Sequence, residues 1–227
     1  MMKAPKLDGR LRAVVDNIEG EVVADIGCDH GKVAVCALAE KRVVKAIACD
    51  ISSKSLDKAV ALAKSYAIEG IEFRCGDGLK PIADGEADCI VIAGMGGKEI
   101  MSILSAMPKG IKRLILVAHK NTVELREFLS AKSLYIEKDF IVGQGGKFYS
   151  VITAQPSEGR DCVLSEESLY LGKNSSDNPD FISYLEELKQ KLERLEDYAD
   201  RSKEGKILRR IFEILDAKKK QGELCPK

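Results

Sequence analysis

Short apolar runs alternate with amphipathic stretches of helical length between residue 21 and about residue 154. This alternation constrains the fold most, because strands separated by helices form βαβ units and a mostly parallel sheet. The predicted strands are Val22–Cys28, Lys45–Asp50, Glu72–Cys75, Asp88–Ala93, Arg113–Ala118, Tyr135–Val142 and Phe148–Gln155. Helices are expected at 31–41, 53–68, 97–106 and 122–132. The last two strands, joined by Gly143–Gly146, are expected to form an antiparallel hairpin, so the pattern predicts an α/β domain.

The composition of the chain changes after residue 156. A polar segment, Gly172–Pro179, is followed by apolar residues at alternating spacings of four and three: Phe181, Leu185, Leu188, Leu192, Leu195 and Ala199. A second apolar stripe lies in a helix at about 206–220, on Ile207, Leu208, Ile211 and Leu215. These stripes predict a short antiparallel coiled-coil hairpin that docks on the domain, holds a partner or serves only as packing. We therefore expect one domain over residues 1–156, and a linker with a helical hairpin over residues 157–227.

Bulk properties narrow the class of protein. Lys plus Arg equals Asp plus Glu, 36 each, so the net charge neither indicates nor excludes a nucleic-acid partner. The N-terminus has no apolar segment of the secretory kind and no apolar run would span a bilayer, which predicts a cytoplasmic protein without membrane association. The seven cysteines show no Cys-x-x-Cys spacing and no histidines are paired, so we expect neither disulfides nor a metal site.

The first predicted strand runs into a turn that carries ionisable side chains, Asp25-Ile26-Gly27-Cys28-Asp29-His30-Gly31. A glycine-bearing turn between a strand and a helix lets backbone N–H groups and the helix N-terminus approach a ligand closely. Small residues would suffice to seat a cofactor there, so Asp29 and His30 indicate a further task. Cys28 is interpreted first as a small space-filling residue and second as a nucleophile.

Three further features follow the next strands at the edge where open α/β sheets bind ligands. Asp50 closes the second strand and is placed to accept hydrogen bonds from a ribose, and Asp77, in Gly76-Asp77-Gly78, is placed to hold an adenine edge. Gly94-Met95-Gly96-Gly97 follows the fourth strand. Each feature alone is also compatible with a helix-start acid, an ordinary turn or packing, but their common edge predicts a nucleotide-like cofactor. The spacing Gly27-x-x-x-Gly31 departs from G-x-G-x-x-G and a P-loop is absent, which favours S-adenosylmethionine over a dinucleotide.

These motifs resemble those of the bacterial tRNA (adenine-N1)-methyltransferases that act on position 22, the TrmK family. The resemblance is carried by Asp25–His30, Gly76–Gly78 and Ile92–Gly97, and it continues through Arg113–Leu116, Leu125–Leu129 and Gly146–Tyr149. It implies a class I methyltransferase with a Rossmann-like sheet and S-adenosylmethionine as cofactor. It also implies tRNA as the partner, with a coiled-coil domain that helps to hold it.

The resemblance also implies roles for individual residues. Asp29 and His30 are the expected catalytic pair: Asp29 would stabilise positive charge on the adenine ring or accept an amino proton, and His30 would orient Asp29 or stack near the base. Alternatively, Asp29 only braces the turn or the amino group of the cofactor. Cofactor contacts are expected from Asp25, Gly27, Cys28, Gly31, Asp50, Ile51, Gly76, Asp77, Gly78, Gly94, Met95 and Gly96. Substrate contacts are expected from Lys3, Arg10, Gly97 and His119.

The segment after the fifth strand departs from the family. Family members usually have Gln-Pro-Asn where this chain has Val117-Ala118-His119, at the edge where the target base would enter. His119 would supply the missing polar group, or the enzyme would act on another nucleoside. A third possibility is a protein of the same fold that binds nucleotide or RNA without catalysis. The expected oligomeric state is a monomer or a weak dimer.

Overall fold

A computed structural model of the chain describes residues 4–174, 177–194 and 202–220. Lys3, Leu195 and Ala199 from the predictions above lie outside these ranges, as does the side chain of Leu215. The strands are β1 (Val22–Ile26), β2 (Lys45–Asp50), β3 (Ile71–Cys75), β4 (Cys89–Met95), β5 (Arg113–Ala118), β6 (Leu134–Gln144) and β7 (Lys147–Pro156). The helices are α1 (Gly9–Asp16), α2 (Lys32–Ala39), α3 (Ser53–Ser65), α4 (Gly97–Leu104), α5 (Thr122–Ala131), α6 (Glu166–Leu171), α7 (Pro179–Arg194) and α8 (Lys203–Lys220).

The seven strands form one sheet in the order β3-β2-β1-β4-β5-β7-β6. Strands β1 to β5 are parallel, and β7 and β6 complete the sheet in antiparallel orientation. The predicted α/β fold with a terminal antiparallel hairpin is therefore confirmed. Because the chain order reverses between β1 and β4, their carboxyl ends diverge and leave a crevice for a ligand.

Apolar side chains fill both faces of this sheet. On one face α2 and α3 pack against the central strands, and on the other α4 and α5 do so. Residues of β1, β2, β4 and β5 are buried almost without interruption, as expected for parallel strands covered on both sides. The core therefore holds the carboxyl ends of four parallel strands in fixed positions.

Five of the seven predicted strands differ from the observed ones by one or two residues at an end, among them β1, which ends at Ile26 and not at Cys28. The differences at the hairpin and at β4 have clear causes in the backbone. The β6–β7 hairpin turns through Gly145 and Gly146 alone, both with positive φ, while Gly143 and Gln144 still pair with Phe148 and Lys147. Two residues with positive φ match the twist of a hairpin, so the predicted four-residue loop was two residues too long. Strand β4 continues past Ala93 to Met95 across an irregularity at Gly94, because its backbone there still pairs with β5.

Two short helices, α1 and α6, were not predicted. Helix α1 begins after Asp8, whose Oδ1 accepts the N–H of Leu11 at 2.8 Å. Its buried residues, Val14 and Val15, join the core cluster that includes Val151 of β7. Tertiary packing stabilises elements this short, so their local sequence gave little signal.

Helices α6 to α8, with the described segments between them, are called the arm below. The predicted helices of the C-terminal part are present, and Phe181, Leu185, Leu188 and Leu192 pack around buried Leu208 and Ile211. The coiled-coil geometry itself stays a prediction. Within the described ranges no helix is long and apolar enough to cross a membrane.

Candidate active site

A cavity of about 650 Å³ opens at the carboxyl ends of β1, β2, β3 and β4. It brings together most of the residues that the sequence singled out. Those lining it are Arg10, Asp25, Gly27, Cys28, Asp29, His30, Asp50, Ile51, Gly76, Asp77, Gly78, Gly94 and Met95. The four separate sequence features therefore belong to one site.

The turn after β1 is held by the end of β2. The N–H groups of Gly27 and Cys28 donate to the carbonyl of Cys49, at 2.9 and 3.0 Å. The N–H of Asp29 donates to Oδ2 of Asp50 at 3.0 Å. Asp29 itself has φ of 47°, a left-handed conformation that aspartate adopts more readily than most residues. This backbone directs the Asp29 side chain outward, 71% exposed, with its Oδ1 3.7 Å from Nε2 of His30.

Asp25 is the buried acid of the site. Its side chain lies at the end of β1 with 3% of the residue exposed, and among the described residues its Oδ2 has no hydrogen-bond partner. Burial raises the pKa of Asp25 to about 7, and the charge of Asp50 adds to this, against a backbone hydrogen bond from Ala34. A buried carboxylate with an unpaired oxygen lining a cavity is suited to a cationic ligand group.

The charge of the cavity wall favours a cation over a polyphosphate. Six acidic side chains line it, from Asp8, Asp25, Asp29, Asp50, Asp77 and Glu99, against the basic side chains of Arg10 and Lys32. A dinucleotide would place its anionic pyrophosphate among these acids, whereas S-adenosylmethionine carries a sulfonium and an ammonium group. The electrostatics therefore agree with the cofactor inferred from the glycine spacing.

Two predicted glycines shape the cavity wall. Gly27 has φ of +69°, and a Cβ at this position would collide with the terminal methyl group of Met95. Gly94 has φ of +94°, and the guanidinium of Arg10 lies 3.7 Å from where its Cβ would be. Glycine thus allows the turn at Gly27 to approach Met95 closely, whereas at Gly94 a Cβ would fit and the positive φ is what favours glycine.

Three other predicted glycines lie outside the cavity lining. Gly31 directly precedes α2 with φ of +66°, and its missing Cβ leaves room for Ala59 of α3. The side chain of Lys120 crosses Gly96, and Gly97 packs against the backbone carbonyl of Asn121. Because the immediate neighbours of these three positions are other parts of the chain, packing explains why they are glycines. Their contact with a ligand stays a prediction.

Two of the residues expected to contact the substrate, Arg10 and His119, have side chains that the structure describes, and one of the two lines the cavity. Arg10 does so, and its Cζ lies 5.4 Å from the ring centre of Tyr149. His119 is exposed and lies outside the lining, with its ring edge-on to that of Tyr149 at 6.2 Å. Tyr149, which ends the Gly146–Tyr149 segment of the family resemblance but is not among the expected site residues, therefore connects the two candidates.

Cys28 lines the cavity as a small buried thiol. Burial raises its pKa far above the ordinary value, and the neighbouring Asp25 and Asp50 add to this effect. The thiol stays protonated at neutral pH, which argues against a nucleophile. In the part of the chain that the structure describes, no cluster of ligating side chains would hold a metal ion.

Some lining residues were missed by sequence reasoning, among them Asp8 and Leu11 of the N-terminal segment, Lys32 and Val33 of α2, and Glu99 and Ile103 of α4. Glu99 follows the Gly94–Gly97 motif by two residues, so the motif could have indicated it. Asp8 and Leu11 reach the cavity because α1 is held there by distant contacts, for which the local sequence has no signal.

Known proteins with a similar sequence and fold show which family this chain belongs to. Residues 7–152 match the family model described as a methyltransferase domain. The tRNA (adenine(22)-N(1))-methyltransferase of Bacillus subtilis is 37% identical over 176 residues, covering 75% of this chain and 74% of that protein. The crystal structure of the B. subtilis m1A22 tRNA methyltransferase TrmK aligns with a TM-score of 0.74 at 29% identity, over 95% of this chain and 98% of that one. TrmK of M. capricolum, at 24% identity and a TM-score of 0.76 over 93% and 97% of the two chains, has the same fold. Sequence and fold together show that this chain belongs to the TrmK family of tRNA (adenine-N1)-methyltransferases.

Proposed function

We propose that this chain transfers a methyl group from S-adenosylmethionine to N1 of an adenine in tRNA, at position 22. The observation that carries the proposal is the acidic cavity, in which the turn with Asp29 and His30 meets the ends of β2, β3 and β4. The names of the B. subtilis relatives support the same reaction and position.

The cavity residues fit the cofactor group by group. Asp50 accepts the N–H groups of Asp29 and Ser52, and its carboxylate retains lone pairs for a ribose diol. Asp77 is exposed and forms an ion pair with neighbouring Lys80 at the surface, so its carboxylate is available to an adenine edge. The unpaired Oδ2 of Asp25 suits the ammonium group of the methionine part. The M. capricolum relative is described in complex with S-adenosylhomocysteine, which supports this choice of cofactor.

Bound S-adenosylmethionine would supply an electrophilic methyl group, and the protein would mainly position the acceptor. Methylation of N1 leaves positive charge on the adenine ring. The carboxylate of Asp29, at the rim of the cavity, would stabilise that charge or accept a proton from the amino group. His30, 3.7 Å from Asp29, would hold this carboxylate in place.

The tRNA would enter at the edge where Arg10, Tyr149 and His119 lie together. N1 belongs to the Watson–Crick edge, so a paired adenine would have to turn out of its helix. Arg10 would meet the extruded nucleotide from the cavity, and His119 from the surface. We further propose that the arm contacts the body of the tRNA through exposed cations of α8 such as Lys203 and Lys206.

The test is incubation of the protein with labelled S-adenosylmethionine and an unmodified tRNA transcript carrying adenine at position 22. Digestion and nucleoside analysis should place the label in 1-methyladenosine, and a transcript with guanine at position 22 should stay unlabelled. Label in another nucleoside would show that Val117-Ala118-His119 marks a different target. Absence of label from every nucleoside, with S-adenosylhomocysteine bound, would refute catalysis and favour a binding protein.

A further inference from the structure

The β6–β7 hairpin presents two different faces at its tip. Successive side chains in a strand point to opposite faces, and residues paired across two strands share a face. Gly143 pairs with Phe148, and Val142 pairs with Tyr149. Gly143 and Phe148 therefore share one face, while Tyr149 shares the other with Gln144.

The arm contacts the first of these faces. Oδ2 of Asp180, at the start of α7, accepts the N–H of Gly143 at 2.8 Å. The ring of Tyr184, one turn later, meets the ring of Phe148 edge-on at 5.6 Å. Because β6 is the edge strand of the sheet, Asp180 also occupies a backbone donor that no neighbouring strand pairs.

The wall of the cofactor cavity contacts the second face. Oε1 of Gln144 accepts the N–H of Gly9, the first residue of α1, at 3.0 Å. The next two residues of α1, Arg10 and Leu11, line the cavity. The guanidinium of Arg10 also lies over the ring of Tyr149. The hairpin tip thus touches the arm on one side and the cavity wall on the other.

A buried ion pair fixes the middle of the same hairpin. Nε of Arg126 donates to Oδ2 of Asp139 of β6 at 2.6 Å, and Nη2 donates to Oγ of Ser150 of β7 at 3.1 Å. Nη1 donates to the carbonyls of Leu169 and Tyr170 in α6, at 3.0 and 3.3 Å. The side chains of Arg126 and Asp139 are each 1% exposed. With the middle of the hairpin held this firmly, its tip is the part of the hairpin that contacts both α7 and α1.

We propose that the hairpin tip couples the arm to the cofactor cavity, with Gln144 and Asp180 as positioning residues. This inference rests on the proposed function, in which tRNA contacts both the arm and the cavity edge. tRNA held on the arm keeps α7 against Gly143, and Gln144 then holds α1 and its Arg10 at the cavity wall. By linkage, bound tRNA tightens cofactor binding and bound cofactor tightens tRNA binding by the same factor.

The test measures the dissociation constant of S-adenosylhomocysteine by calorimetry, with and without a saturating unmodified tRNA transcript carrying adenine 22. No methyl group is available, so binding is read without turnover. In the wild-type protein we expect tRNA to tighten binding about fivefold or more. Gln144→Ala and Asp180→Ala each remove one acceptor and should reduce this factor to about twofold or less. Gln144→Glu and Asp180→Asn retain an acceptor oxygen and should keep the wild-type factor.

Asp84→Ala is the matched control. Oδ1 of Asp84 accepts the N–H of Lys109 at 2.8 Å, as Asp180 does for Gly143, but Asp84 is not among the residues that line the cavity. This variant should keep the wild-type factor, and urea unfolding of every variant checks its fold. The inference is overturned if tRNA leaves the wild-type affinity unchanged, or if both alanine variants at the tip keep the wild-type factor. Methyl transfer to tRNA by the wild-type protein is measured in a separate assay. Absence of transfer refutes the proposed function, whereas transfer without an effect of tRNA on S-adenosylhomocysteine affinity refutes only the coupling.

Discussion

Asp25→Asn gives the sharpest quantitative test of the cavity electrostatics. The carboxyl of Asp25 is fully enclosed, and desolvation, followed by repulsion from Asp50, raises its pKa from 3.8 to about 7. The folded protein therefore keeps this proton between about pH 4 and pH 7, where the unfolded chain has already released it. Its contribution to the free energy of unfolding thus falls as the pH rises through that window.

The magnitude follows from the same values. Moving the pKa from 3.8 to about 7 costs about 4 kcal/mol once the pH exceeds 7, at about 1.4 kcal/mol per pKa unit. Asparagine has nearly the same shape and does not titrate. We therefore expect the stability of Asp25→Asn relative to wild type to grow by about 2–3 kcal/mol between pH 5 and pH 8.

Urea unfolding followed by circular dichroism at several pH values between 5 and 8 measures this difference. Any pH-independent effect of the substitution, such as a changed hydrogen bond to Ala34, shifts all points equally and cancels. A stability difference that stays constant across the range would refute the reasoning. At pH 8, S-adenosylhomocysteine should also bind Asp25→Asn at least about tenfold more weakly than it binds the wild-type protein, because its ammonium group loses a charged partner.

Three further predictions concern other parts of the site and its support. Asp29→Asn keeps a residue that tolerates the left-handed backbone, so methyl transfer to tRNA should fall at least about 100-fold while calorimetry shows nearly unchanged S-adenosylhomocysteine affinity; an equal loss of binding would place this carboxylate in the cofactor site. Gly27→Ala places a Cβ against Met95 at φ of +69° and should cost about 1–2 kcal/mol of unfolding free energy, together with weaker cofactor binding; wild-type values for both would show that the turn needs no glycine. Arg126→Met leaves Asp139 buried without its partner and should cost about 3–5 kcal/mol in urea unfolding, most of it recovered in Arg126→Met/Asp139→Leu; a double variant no more stable than the single one would contradict this account.

The sequence predicts the position of those site residues that lie at the ends of strands. Asp50, Asp77 and Met95 each lie at or just after the end of a strand, and the alternation of strands and helices places such residues at one edge. Their joint presence in the cavity needed no knowledge of tertiary packing.

Other features depend on contacts that are distant in sequence. The hydrogen bond from Gly9 to Gln144 brings α1, and with it Leu11, to the cavity wall. These two residues are 135 positions apart, so no local sequence pattern predicts their contact. Glycine motifs posed a different difficulty, because a glycine that admits a ligand and one that admits a neighbouring element look alike. Ligand contact at Gly31 and Gly97 stays a prediction, while the structure places these two glycines against Ala59 and Asn121.

The contacts along β6 bear on whether the two parts of the chain are interchangeable modules. The change in composition after residue 156 invites the view that an ancestral enzyme acquired its arm as a separable addition. Yet Arg126 finds two of its acceptors in α6, and Asn174 and Asp180 pair with the N–H groups of Ile141 and Gly143. A chain cut after residue 156 would leave buried Arg126 without two of its hydrogen-bond acceptors. It would also leave the edge of β6 open to pairing with another copy of the chain. Engineering or evolution could therefore exchange the outer parts of α7 and α8 far more readily than the segment that joins them to the sheet.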